Sequence, residues 1–157
     1  MRRSLLLVCV LCLVPQAQAA DKLIDFLKKN KFEGMVGTWV DADTKGKVHK
    51  TTITWKIKDR VLETVSEQGG NKSVGLIAVD SKKSTIFTVG ADSKGTTWLG
   101  DMKFKNGDAV QGVLFSTEDG KGGAMSITYH FENKDALTMT INIVGLGPIK
   151  MKLVRAE

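Results

Sequence analysis

The sequence predicts a mostly β fold: an antiparallel up-and-down meander of about ten strands, closed into a barrel and preceded by a short helix. Three observations predict it. After residue 34 the apolar period changes from about 3.6 to 2 and does not change back. Clusters of turn-forming residues recur about every ten to fifteen positions. The spacing between them leaves no room for the helical crossovers that parallel strands require, so neighbouring strands pair antiparallel.

The first segment precedes this pattern. Met1, Arg2 and Arg3 lead into an apolar run from Leu5 to Val14, then Pro15 and Ala17-Gln18-Ala19. A basic start, an apolar core and a small-residue site form a secretory signal peptide. The run is about ten residues, whereas a spanning helix needs about 20. Residues 1–19 are therefore expected to be cut after Ala19, giving a secreted or periplasmic protein with no transmembrane segment. Cys9 follows Val8 and Cys12 follows Leu11, which is not the small-residue context of a lipoprotein anchor.

The rest, residues 20–157, is the size of one domain with one core. Both cysteines leave with the signal, so no disulfide, thiolate or cysteine ligand is expected there. Arg2 and Arg3 leave too, and the net charge falls from +6 to a mild excess of 21 basic over 17 acidic residues. The lysines are spread along the chain beside turns, without a dense basic block, and no nucleic-acid partner is expected.

Element by element, residues 20–33 read as the helix, with Asp21 as its cap and Leu23, Ile24, Phe26 and Leu27 on one stripe. Residues 34–157 read as the barrel. Nine turn clusters, from Asp43-Thr44-Lys45-Gly46 to Gly145-Leu146-Gly147-Pro148, delimit about ten strands. A meander this long must split into two packed sheets or close on itself to remove its edges. The barrel is the reading taken here, and a two-sheet sandwich is its competitor.

Alternation then sorts the faces. Ile53, Trp55 and Ile57 oppose Thr52, Thr54 and Lys56; Met125, Ile127, Tyr129 and Phe131 oppose Ser126, Thr128 and His130; Leu137, Met139, Ile141 and Ile143 oppose Thr138, Thr140 and Asn142. The apolar set faces inward and describes either a packed core or a pocket for a small ligand. The candidate lining residues are Trp55, Phe87, Trp98, Phe115, Tyr129, Met139 and Ile141.

The chain has Gly37-Thr38-Trp39 on its first strand and Arg155 at the end of its last. This pairing resembles the calycin superfamily, which includes lipocalins, fatty-acid-binding proteins and lipocalin-like bacterial proteins. The resemblance implies a lipocalin-like barrel in which Gly37 and Trp39 close one end and Arg155 packs across the indole. It also implies a small apolar or amphipathic ligand inside. Nitrobindins, another branch with G-T-W near the start, hold haem through a histidine on the last strand. That strand has none here, and no cofactor is expected.

Chemistry-bearing residues are few. His49, between Lys47 and Lys50, reads as an exposed strand residue, and His130 shares a face with Ser126 and Thr128. Asp41 to Gly46 opens like a calcium loop, but its twelfth position is Thr52 rather than glutamate, so it reads as a hairpin turn and no metal is expected. No nucleophile elbow, phosphate loop or H-E-x-x-H occurs. A barrel enzyme would require a polar cluster facing inward around Glu63, Glu67, Asp101 or His130. The sequence therefore leads to a ligand-binding barrel, with a non-catalytic interaction module and a small barrel enzyme as alternatives.

Overall fold

The computed structural model describes residues 21–156. The expected signal peptide, residues 1–19, lies outside them. The chain runs through α1 (Leu23–Lys29), a 3-10 turn (Glu33–Met35), and ten strands: β1 (Gly37–Asp41), β2 (His49–Ile57), β3 (Val61–Gln68), β4 (Asn71–Asp80), β5 (Thr85–Asp92), β6 (Thr97–Lys105), β7 (Asp108–Ser116), β8 (Gly122–Asn133), β9 (Ala136–Ile143) and β10 (Ile149–Arg155). Each strand pairs antiparallel with the next, and β1 pairs with β10, so the meander is a closed barrel rather than a sandwich. Among the described residues no helix is long and apolar enough to cross a membrane.

The helix is shorter than the expected 20–33, because Lys31 takes a positive φ of 61° and the chain turns. Asp21 does not cap it. Its carboxylate instead accepts from the Ser84 hydroxyl at 2.9 Å, and the backbone N–H of Ile24 donates to Asp59 O at 3.2 Å. These bonds tie the helix to the β4–β5 and β2–β3 turns. The helix thus covers one end of the barrel, with Leu23 and Leu27 fully buried. Phe32 continues the cover, its ring 5.1 Å from those of Phe104 and Phe131.

Closure is concentrated at the same end. Trp39 is 1% exposed, its indole N–H donates to Met35 O at 2.8 Å, and the Arg155 guanidinium lies 4.5 Å from its ring centroid. Arg155 also donates to the carbonyls of Val36 (3.0 Å), Gly34 (2.7 Å) and Lys134 (3.3 Å). Gly37 makes room for it: at φ 138°, a Cβ there would stand 2.3 Å from Arg155 Nη1.

The alternation holds along most strands and is interrupted by two bulges, one of them between Phe131 and Asn133 at the end of β8. The other, between Trp55 and Ile57, breaks the β2–β3 register, so Ile57, expected inside, is 55% exposed.

Arg155→Ala removes the cation–π contact and three hydrogen bonds from a charged donor, and is expected to cost about 2–4 kcal/mol. Arg155→Lys keeps the charge without the planar fork and should recover less than half of that. Urea unfolding of the two variants measures both.

Candidate functional site

Away from the helix the barrel is hollow. A cavity of about 400 Å³ opens there, bounded by residues from all ten strands. On β7 to β10 its wall is mainly apolar, with Val113, Phe115, Met125, Ile127, Met139 and Ile141, interrupted by Gln111 and the Tyr129 hydroxyl. On β2 to β5 it carries hydroxyls and amides: Thr51, Thr64, Ser66, Gln68, Asn71 and Ser73.

Of the seven lining residues read from sequence, Trp98, Phe115, Tyr129, Met139 and Ile141 stand on this wall. Trp55 faces inward but packs onto the buried cluster without reaching the cavity. Phe87 requires a correction: it points outward and is 36% exposed. Its neighbours Ile86 and Thr88 are the buried ones, and Phe87 joins an apolar outer surface instead. There Leu76, Val89, Leu99 and Leu114 stand in register on four consecutive strands, all exposed.

Two small residues determine how Trp98 lies. A Cβ on Gly90 would meet its ring at 2.1 Å, and one on Gly75 at 3.2 Å. The indole therefore lies down on a shelf of two paired glycines instead of projecting across the cavity.

Sequence reasoning missed His49. It is 6% exposed and faces the cavity, sharing its side of β2 with Thr51 and Ile53. The signal was present in its even spacing from Ile53; the flanking lysines obscured it. Its Nε2 lies 2.9 Å from Thr51 Oγ1, which lies 2.8 Å from Ser66 Oγ. Its Nδ1 is buried with no hydrogen-bond partner among the described residues. Burial pushes the imidazole pKa down, against the opposing pull of the Asp41 charge and of the Gln68 side chain.

The remaining ionisable groups are structural or external. Asp41 accepts from the Thr44 hydroxyl and the N–H groups of Thr44, Val48 and His49. Led by the Thr44 hydroxyl, these bonds hold its carboxyl far below the usual range. The calcium-like segment is thus a hairpin loop capped by its own first aspartate. Asp92, at the cavity wall, accepts from Asn71 Nδ2 (3.0 Å) and from the N–H groups of Lys94 and Thr96 (2.9 Å each). The Asn71 bond leads in lowering its pKa. Deeper in, Gln111 Nε2 donates to Thr88 Oγ1 at 2.9 Å and the Tyr129 hydroxyl to Gln111 Oε1 at 3.3 Å. Burial pushes the Tyr129 phenol up to about 12.

Glu63, Glu67, Asp101 and His130 do not form an interior cluster. Glu63 pairs with Lys56 at 3.0 Å and Asp101 with Lys103 at 2.9 Å, while Glu67 is exposed. His130 meets Asp108 at 2.6 Å, with more than half of its side chain exposed. Among the described residues no three His, Cys, Asp or Glu side chains converge. Compared with known proteins, the sequence matches no family model and no curated relative.

The depressed His49 pKa makes stability depend on pH. The unfolded chain takes up a proton near the ordinary value of 6.5, which the folded chain refuses until lower pH. This contribution is complete above pH 6.5 and is lost as pH falls below it. The carboxylates lose theirs only nearer pH 4. Urea midpoints between pH 8 and pH 5 should fall for the wild type, and the fall should be smaller for His49→Gln.

Proposed function

We propose that this protein is an exported, lipocalin-like carrier that holds a small amphipathic molecule in its barrel. The cavity carries the proposal. Its volume of about 400 Å³ equals that of roughly a dozen waters at about 30 Å³ each, which is the scale of small-molecule sites. The arrangement of Gly37, Trp39 and Arg155 supports a calycin relationship, because a clamp at one end leaves the other free to admit a ligand.

Native mass spectrometry of the protein recovered from the exported fraction of its own host tests the proposal. The expected result is a chain starting at Ala20, with extra mass that is released on denaturation as a small molecule. A bare chain from that source, with no molecule retained, would count against the carrier reading. Gly75→Val is expected to push the Trp98 ring off its shelf and into the cavity, lowering ligand retention at least ten-fold while the barrel stays folded by circular dichroism.

A second reading, an interaction module, has one observation in its favour: the exposed row Leu76, Val89, Leu99 and Leu114. Contiguous apolar surface of this kind marks contact sites more often than chance. A photo-crosslinker at Leu99 in the native envelope would trap a defined partner under this reading, and none under the carrier reading alone.

A further inference from the structure

The cavity wall is divided along the barrel axis rather than across it. The β2–β4 wall carries the hydroxyl, amide and imidazole groups named above beside Ile53 and Ile77, whereas on β8 and β9 the Tyr129 hydroxyl is the one polar tip among apolar side chains. A hydrocarbon chain alone would leave the first wall facing apolar carbon, and its polar atoms would lose water without a replacement partner.

Charge narrows the occupant further. Among the described residues no lysine or arginine lines the cavity, and the lining carboxylate is Asp92. A carboxylate headgroup would enter with no cation to pair with and with Asp92 already on the wall, which is the costly case for a buried charge. An ammonium headgroup would have Asp92 alone, and its oxygens are already engaged by Asn71, Lys94 and Thr96.

His49 supplies an independent indication. It is more than nine-tenths buried on the cavity wall, and its Nδ1 has no partner. An unmet lone pair costs less than an unmet N–H, which assigns the proton to Nε2. Nε2–H then donates to Thr51 Oγ1, and the Thr51 and Ser66 hydroxyls share one hydrogen bond that either can donate. One hydroxyl proton of this pair is left over, on residues that line the cavity, for an acceptor inside it.

Resting on the carrier reading above, we infer that the cavity takes an uncharged amphiphile bearing hydroxyl or carbonyl oxygens along one side. Those oxygens lie against the β2–β4 wall, one of them accepting from the Thr51–Ser66 hydroxyl pair, and the hydrocarbon lies against β8 and β9. Carboxylate and ammonium amphiphiles of the same length are rejected.

Titrations followed by methyl NMR test this at pH 7.5, with 1,2-octanediol, 1-octanol, octanoate and octylammonium as probes. Met125, Met139 and Ile141 report on the cavity, and Leu99 on the outer face. The diol is expected to bind several-fold more tightly than 1-octanol, although its second hydroxyl makes it the more water-soluble of the two. Octanoate and octylammonium should each bind at least ten-fold more weakly than the diol. The pair Thr51→Val with Ser66→Ala should remove the preference for diol over octanol, lowering diol affinity more than octanol affinity. Octanol binding more tightly than the diol, or either ion matching it, would overturn the inference while leaving the carrier reading intact. Cavity methyls that respond to none of the four probes would overturn both.

Discussion

A ten-strand meander becomes a barrel only when its first and last strands meet across nearly the whole chain, and here one guanidinium spans that join. Arg155 belongs to β10, yet its hydrogen bonds reach Gly34 and Val36 just ahead of β1, and Lys134 in the β8–β9 turn. The direct β1–β10 ladder is short, with Trp39, Val40 and Asp41 opposite Arg155, Val154 and Leu153. A short ladder at a long sequence separation has little local order to offset its closure entropy. The stacked, multiply bonded arginine adds enthalpy where the ladder has least. Gly37 is the condition for this arrangement, since any side chain there occupies the volume of the guanidinium.

Because closure, helix and aromatic cluster all lie at one end, the other end is free of structural duty. Phe32, Phe104, Phe131 and Trp39 pack edge to face or tilted around the clamp, a geometry that adds to simple area burial. Beyond them the walls lie too far apart to be bridged by the threonine, serine and glycine residues of β3 to β5. The polar side chains there bond laterally along the wall, as Thr51 does with Ser66 and Gln111 with Thr88. Lateral bonding keeps a hollow barrel from accumulating unpaired buried groups.

Much of the plan was legible in the sequence, because turns and period-2 alternation are local signals. The ten strands and the antiparallel order rest on such signals, whereas the pairing of Trp39 with Arg155 was implied by the resemblance to the calycins. The failures have physical causes too. Phe87 sits in Ile86-Phe87-Thr88-Val89, where both faces carry large apolar residues and alternation cannot choose between them. Ile57 lies past a bulge, which inserts a residue that no periodic reading anticipates. His49 looked solvated because its chain neighbours are charged, although neighbours in a strand face the opposite way. The polar wall went unread because threonine and serine in a strand read by default as its wet outer face.

That wall reverses the usual arrangement. On β4, β5 and β6 the inward positions hold Ser73, Gly75, Thr88, Gly90 and Gly100 among Ile77, Ile86, Trp98 and Met102, while Val74, Leu76, Val89 and Leu99 point outward. Burying a valine or leucine fully contributes about 1.5–3 kcal/mol. A one-residue slip would turn these side chains inward and fill the cavity, but it would also turn Ile77, Ile86 and Met102 out to water. The register resists the slip because each strand is fixed at both ends by tight hairpins and on both sides by its neighbours, and Trp98 needs Gly75 and Gly90 beneath it. A sequence that keeps small and polar residues facing inward, at the expense of available burial, is organised around the empty space they enclose.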